Sequence, residues 1–197
     1  SYLMSDYLAA SKGTGIEQTV YMEVNVNPEC AEDEIKQMSV HCASSETPMK
    51  KIVIAGNPVS SEFDIFLNKH TQNQFIRGLR SVLHVPGSKP GHCLQAKFIR
   101  GIQELGRKGL LFDICIRPAE LSDATKLVTA CPETTFVIDH CGNADPHVIN
   151  GEKALGDDYD GSPFWHTAEG WKEDMAALGD LPNTFCKISG IVSRAQE

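Results

Sequence analysis

The chain has 197 residues, a formal net charge of −8 and a sequence pI near 5.3. Its mean hydropathy is −0.22, and no apolar run approaches the ~20 residues that a bilayer span needs, which argues against a transmembrane protein. Hydrophobic residues make up 41% of the chain, which is typical of a globular domain rather than a disordered one. The acidic balance argues against a nucleic-acid partner, because neutralising phosphates requires clustered Lys and Arg.

The cysteines indicate a reducing environment. Seven are present, an odd number, and most lie in apolar runs, as Cys115 does in the run 111–116. No CxxC spacing occurs, which disfavours a zinc ribbon. We therefore expect free thiols and a cytoplasmic location.

In chain order, short β-rich runs alternate with amphipathic stretches. Pro28 and Pro118 each begin a predicted helix, and the segment 92–108 has a helical stripe that Gly109 closes. A Gly- and Asp-rich stretch, 142–162, is predicted to be irregular. The predicted strands are 19–24, 51–56, 76–84, 110–116, 135–141 and 184–191.

This alternation predicts an α/β fold with parallel strands and right-handed crossovers. Two architectures fit the pattern, an open doubly wound sheet and a (β/α)8 TIM barrel. No GxGxxG follows a strand, which disfavours the nucleotide-binding form of the open sheet. Unit lengths of roughly 25–50 residues match barrel construction. We expect residues 1–197 to form one barrel domain that lacks two of the eight units.

Strand alternation places polar side chains on one face, late in each strand. A barrel interior is normally filled by Val, Ile and Leu, and burying unpaired charges is costly. The pattern therefore predicts a polar active site at the carboxyl ends of the strands. Its candidate residues are Glu23, Arg80, His84, Asp113, Arg117, His140, Asn143 and Lys187.

Structural roles are also open for these residues. Arg80 and Arg117 could form internal salt bridges with Glu23 and Asp113, and Lys187 could extend to the strand edge. His140 and His84 could be hydrogen-bonded structural histidines. The position of His140 at a strand end, before the Cys-Gly-Asn sequence of residues 141–143, favours a functional role.

Four segments together resemble the amidohydrolase-2 group of TIM-barrel hydrolases. This group includes lactonases that act on sugar lactones and on 2-pyrone-4,6-dicarboxylate, and some non-oxidative decarboxylases. The segments are Gly91-His92-Cys93-Leu94-Gln95, the run from Leu111 to Pro118, Phe136-Val137-Ile138-Asp139-His140-Cys141-Gly142, and Cys186-Lys187-Ile188-Ser189-Gly190.

The resemblance implies a metal-dependent hydrolase in which activated water opens a small-molecule lactone or carboxylated ring. His140 matches the histidine on barrel strand six of the group, so this chain would supply about strands 2–7. His140 would bind a divalent Zn or Mn ion or polarise the carbonyl, and His84 would assist proton transfer; some lactonases of the group work without metal. The implied substrate-binding residues are Glu23, Arg80, Asp113, Arg117, Asn143 and Lys187.

The sequence departs from the group in two places. It has no His-x-His pair, and no segment resembling the strand-eight Asp follows Ser189. We therefore expect a barrel truncated at both ends, with little or no hydrolase activity in the isolated chain. Two exposed sheet edges would then favour pairing with another copy, and a non-catalytic remnant that acts through association is the alternative. A decarboxylase of the same group is a further alternative.

Overall fold

Six parallel strands form one curled sheet in the computed structural model, which describes residues 3–85, 87–152 and 165–190. The order of the strands in the sheet is their order in the chain, with no reversal of direction. A doubly wound sheet would reverse its order at a switch point, so the incomplete-barrel prediction is confirmed. The strands are β1 (Thr19–Met22), β2 (Met49–Ala55), β3 (Ile76–Val82), β4 (Leu111–Cys115), β5 (Phe136–Ile138) and β6 (Thr184–Cys186).

Helices connect successive strands and cover one face of the sheet. Prolines begin two short 3-10 helices, Pro28–Cys30 and Pro118–Glu120, that lead directly into longer helices. No helix in the described ranges is long and apolar enough to cross a membrane. The helices are α1 (Met4–Ala10), α2 (Ala31–Ala43), α3 (Phe63–His70), α4 (Ala96–Arg107), α5 (Leu121–Ala130), α6 (Pro146–Ile149) and α7 (Ala168–Gly179), with a further 3-10 helix at His92–Leu94.

The hydrophobic core lies between the sheet and these helices. Phe98 of α4 packs edge-on against Phe112 of β4, with ring centroids 5.8 Å apart, and Phe112 packs in the same way against Phe136 of β5 at 6.3 Å. All three rings are fully buried. Each aromatic pair adds about 0.5–1.5 kcal/mol beyond its buried area. This layer fixes the positions of β4 and β5, whose ends carry much of the candidate site.

The last two strands are shorter than predicted, and β5 ends early because the chain leaves the extended conformation. A single left-handed turn, His140–Asn143, begins two residues after β5, and its four residues all have positive φ angles between 52° and 73°. Consecutive left-handed residues cannot continue a strand. The end of the predicted sixth strand at 191 and the second part of the predicted irregular stretch, 153–162, lie outside the described residues.

The sheet is open at both ends within the described residues. β1 pairs with β2 only, and β6 pairs with β5 only. Val20 on β1 is 59% exposed and Phe185 on β6 is 62% exposed. These two edges therefore present unpaired backbone groups beside apolar side chains, which is the arrangement that invites a further strand.

Candidate active site

A cavity of about 650 Å³ opens at the carboxyl ends of the strands. This is the end at which (β/α)8 enzymes carry their active sites. The polar side chains of its lining come from the ends of β1, β3 and β4 and from the left-handed turn. They are Glu23, Asn25, Arg80, His84, Cys115, His140 and Asn143.

Arg80 is the centre of a buried ion-pair network beneath this cavity. Its Nε lies 2.5 Å from Glu23 Oε1, its Nη1 lies 3.2 Å from Asp139 Oδ2, and its Nη2 donates to the Glu23 carbonyl oxygen. Glu23 is 2% exposed and Asp139 is 1% exposed. The guanidinium fork therefore holds two buried carboxylates at once, which a single ammonium group cannot do.

Lys187 extends the network from the other side. Its Nζ lies 2.7 Å from Asp139 Oδ1 and 3.2 Å from Asp113 Oδ1. The second contact is an ion pair without hydrogen-bond geometry, so neither Asp113 oxygen accepts a hydrogen bond from the described residues. Lys187 does not extend away to the strand edge but points to the two carboxylates. The network thus contains three carboxylates and two cations.

Asp113 is the group in this network whose ionisation is most disturbed. Burial, together with the neighbouring Asp139 charge, raises the pKa of Asp113 from 3.8 to about 6, although Lys187 and Arg80 act in the opposite direction. The side chain is 1% exposed, and desolvation penalises its charged form. A carboxyl group with such a pKa exchanges its proton near neutrality, which is a property of catalytic carboxylates.

His140 stands on the left-handed turn and is held from one side by the segment that follows β6. Its Nδ1 lies 2.9 Å from Ser189 Oγ. Gly190 has φ +70°, and a Cβ there would lie 2.7 Å from His140 Nδ1. Only glycine at 190 therefore lets the chain pass so close to the ring. Among the described residues, Nδ1 is the ring nitrogen of His140 that has a hydrogen-bond partner.

The left-handed turn is supported by packing from behind. Trp171 of α7 donates its indole N–H to the Cys141 carbonyl oxygen at 2.8 Å. Gly142 has φ +73°, and a Cβ there would lie 2.9 Å from a Leu121 methyl group. Non-glycine residues in left-handed conformations cost energy and persist where surrounding structure enforces them, often at functional sites. Here the helices α5 and α7 enforce the conformation that carries His140.

His84 contacts the thiol of Cys115, with Nε2 and Sγ 3.3 Å apart. Burial, followed by the charge of Asp139, raises the pKa of Cys115 to about 11, so the thiol is protonated near neutrality. The buried Asn143 amide donates to the Ile116 carbonyl oxygen at 2.8 Å and lies 4.0 Å from the same sulfur. These contacts position His84 and Asn143 in the lining of the cavity.

Arg117 does not join these groups. Its guanidinium binds both carboxylate oxygens of Glu120 and the Ser88 carbonyl oxygen. The alternative that Arg80 pairs with Glu23 is confirmed, whereas the proposed pairing of Arg117 with Asp113 is wrong. The local cause is the 3-10 helix at Pro118–Glu120, which turns the chain so that residues 117 and 120 face each other.

Three residues of the site were not among the predicted candidates. Val137 on β5 lies on the inner face of the sheet, and strand alternation places Asp139, two residues later, on the same face. Ser189 belongs to the Lys-Ile-Ser-Gly motif but gave no signal of its own. Alternation places Cys115 on the same face as Asp113, but its apolar run favours a small buried hydrophobe.

The substitution Gly190→Ala is expected to displace the His140 ring. The left-handed backbone alone costs a non-glycine residue roughly 1–2 kcal/mol, and the clash with Nδ1 adds to that cost. Gly109→Ala is the matched control, since Gly109 has φ +71° with nothing within 4 Å of a Cβ. We expect both variants to lose stability in chemical unfolding, but only Gly190→Ala to shift the His140 ring signals in NMR spectra. Equal losses of stability in the two variants, with unchanged His140 ring signals, would contradict the close contact between residue 190 and the His140 ring.

The described residues do not by themselves form a metal site. Within 3–85, 87–152 and 165–190, no three His, Cys, Asp or Glu side chains converge so that they could hold a metal ion. The carboxylates nearest the network's cations are already ion-paired. The assignment of a divalent ion to His140 therefore stays a prediction.

Comparison with known proteins gives consistent matches over nearly the whole chain. An uncharacterized protein of Sinorhizobium fredii is 25% identical over 198 residues, covering 97% of this chain and 61% of that protein. The structure of an amidohydrolase from Burkholderia multivorans with bound zinc aligns with a TM-score of 0.76 at 16% identity, covering 98% of this chain and 61% of that chain. Amidohydrolase 2 from Bifidobacterium longum subsp. infantis aligns with a TM-score of 0.64 at 26% identity, covering 99% of this chain and 67% of that chain.

The chain therefore spans about three fifths of the length of the first two proteins, 61% in each case. The family model described as Amidohydrolase matches residues 15–197, a range that contains all six strands and every candidate site residue. Because this match extends over most of the sequence, the chain belongs to the amidohydrolase family.

Proposed function

We propose that the protein is a hydrolase that opens a lactone or a related cyclic ester with an activated water molecule. Family membership supports hydrolysis, and the position of His140 is the observation that carries the proposal. This histidine lines the cavity at the carboxyl ends of the strands from an enforced left-handed turn. Its Nδ1 is engaged by Ser189, so Nε2 is the nitrogen that would act on a substrate.

The residues of the cavity have separable roles in this proposal. His140 would polarise the scissile carbonyl or accept a proton through Nε2, and its fixed ring favours that geometry. His84, next to the neutral Cys115 thiol, would move a proton at the other side of the cavity. Asp113 lies beneath them, and its raised pKa would let it take up a proton during turnover.

The ion pairs support an uncharged, hydroxyl-rich lactone over an anionic one. Arg80 is occupied by Glu23 and Asp139, and Lys187 is occupied by Asp139 and Asp113. With three carboxylates against two cations, a substrate carboxylate would meet a net negative charge and would have to break an existing pair. A neutral sugar-type lactone could instead bind through hydrogen bonds to the histidines and Asn143. Arg117, bound to Glu120, would take no part.

The isolated chain is expected to be a weak catalyst. It lacks a His-x-His pair, and it spans 61% of the length of its Sinorhizobium relative. The experiment therefore measures binding as well as turnover. A neutral aldonolactone and 2-pyrone-4,6-dicarboxylate are compared by calorimetry and by a ring-opening assay, with and without added Zn²⁺ or Mn²⁺. We expect the neutral lactone to bind and the dicarboxylate to bind at least about tenfold more weakly, a difference of about 1.4 kcal/mol.

Two variants make the assay specific to the cavity. His140→Asn is expected to weaken lactone binding and to remove residual turnover, whereas His41→Asn on α2, outside the cavity lining, should leave both unchanged. Preferential binding of the dicarboxylate would overturn the substrate assignment. CO₂ release from an aromatic carboxylic acid, without lactone opening, would identify a decarboxylase of the same family instead.

The open edges of β1 and β6 support a second proposal, association with another copy of the chain. Their exposed Val20 and Phe185 would be covered by strand pairing across the edge. Sedimentation of the preparation used for the lactone assay tests it, and a strictly monomeric chain would contradict it. A cytoplasmic location is also proposed, because all seven cysteines are free thiols.

A further inference from the structure

Two cysteines meet where β5 and β6 end, immediately beside the site. The thiol of Cys141 lies 3.5 Å from the Lys187 carbonyl oxygen, and the thiol of Cys186 lies 3.7 Å from the same oxygen. The backbones are adjacent as well, since Cys141 N–H donates to that oxygen at 3.1 Å and Ile138 is the register partner of Cys186. The two side chains therefore converge on one point from neighbouring segments.

The two thiols also influence each other. Partial desolvation raises the pKa of Cys186 to about 11, and the neighbouring Cys141 contributes to the same shift. Cys186 is exposed and Cys141 is half-buried, so a small reagent can reach the pair. Four of the other five cysteines are buried, and the fifth, Cys30, is exposed.

We propose that Cys141 and Cys186 are a modification site that forms a reversible disulfide with a low-molecular-weight disulfide, such as glutathione disulfide, as oxidant. A disulfide requires Cα atoms within about 7 Å of each other, which adjacent parallel segments can satisfy. The proposal does not depend on the proposed hydrolase function, because it concerns only the proximity and accessibility of the two thiols.

The reaction proceeds in two exchange steps. The Cys186 thiolate attacks one sulfur of glutathione disulfide, forming a mixed disulfide and releasing one glutathione thiolate, which takes up the proton that Cys186 lost. The Cys141 thiolate then attacks the Cys186 sulfur, forming the protein disulfide and releasing the second glutathione. Two protein thiols are oxidised, one glutathione disulfide is reduced, and reduced dithiols reverse the process.

The bond would join the residue after His140 to the residue before Lys187. It would thereby tie the left-handed turn to β6 and restrict the movement of both site residues. Because a cross-link lowers the entropy of the unfolded chain, the oxidised protein should unfold at a higher temperature than the reduced one.

The test exposes the folded protein to excess glutathione disulfide at mildly alkaline pH, where a larger fraction of the thiols is ionised. We expect the intact mass to fall by two hydrogen atoms, apart from glutathione added at Cys30. A non-reducing digest should contain the peptides of Cys141 and Cys186 joined to each other. Dithiothreitol should restore the free thiols completely.

Variants distinguish the proposed Cys141–Cys186 disulfide from unselective oxidation of the cysteines. Cys30→Ser should still form the bridge, whereas Cys141→Ser should stop at a stable mixed disulfide on Cys186. The same treatment in denaturant should join the seven cysteines without preference. A stable mixed disulfide on Cys186 in the unmodified protein would overturn the proposal. An unmodified Cys186 in a sample whose Cys30 has reacted would also overturn it.

Discussion

Replacing Arg80 by Ala is expected to lower the free energy of unfolding by about 3–5 kcal/mol, the cost of removing one partner from a buried ion pair. The loss is large because Glu23 and Asp139, both almost fully buried, would each lose a guanidinium contact. Burial opposes the charge on Arg80, but its hydrogen bonds to the two carboxylates outweigh burial and raise its pKa, so the cation is permanent. Arg80→Lys should lower the free energy of unfolding by less than Arg80→Ala does, because the lysine ammonium keeps the positive charge but lacks the planar fork of donors.

Urea unfolding followed by circular dichroism measures this loss. Arg107→Ala is the control, since Arg107 pairs with Glu104 on the exposed face of α4, where an ion pair contributes about 0–1 kcal/mol. If Arg80→Ala and Arg107→Ala lowered the free energy of unfolding by similar amounts, the network around Arg80 would not be fixed and desolvated.

Replacing Asp113 by Asn is expected to change how stability depends on pH. The pKa of Asp113 is raised from 3.8 to about 6 in the folded protein, mainly by burial. The folded state therefore holds the proton more tightly than the unfolded state, and ionising Asp113 opposes folding. This penalty is absent below pH 3.8, grows between pH 3.8 and about 6, and is complete above that range. Over this window it amounts to about 3 kcal/mol.

The amide that replaces this carboxyl group cannot ionise, so the variant escapes the penalty. We expect the stability of the variant relative to the parent protein to rise by about 3 kcal/mol from pH 4 to pH 7. Unfolding free energies measured at half-unit intervals give this difference curve. A flat curve for Asp113→Asn would mean that Asp113 is ionised at little cost, contrary to its burial.

The fold was predictable from the sequence because its signals are local. The strands are apolar runs bounded by turn residues, and the stripe of Phe98, Ile102 and Leu105 faces the core as its spacing requires. The sequential order of the strands follows from the regular alternation of strands and helices. Strand ends were harder to predict, because the left-handed turn at His140 depends on support from α5 and α7, which are distant in sequence.

The candidate site was predictable in its location and less so in its pairings. Alternation correctly brought Glu23, Arg80 and Asp113 towards one network. Pairings such as Arg117 with Glu120 depend on short-range turns. The periodicity of the sequence does not indicate with which partner a long charged side chain will pair.

The sequential order of the strands has a consequence for synthesis on the ribosome. Each of the six strands in the described part of the chain pairs with the strands before and after it. When a new strand leaves the exit tunnel, the edge on which it docks is therefore already made. Docking each new strand closes a loop of only one β–α unit, and the entropy cost of closing a loop grows slowly with its length. The molecule can thus grow from its amino terminus one β–α unit at a time, without waiting for residues that are still to be translated.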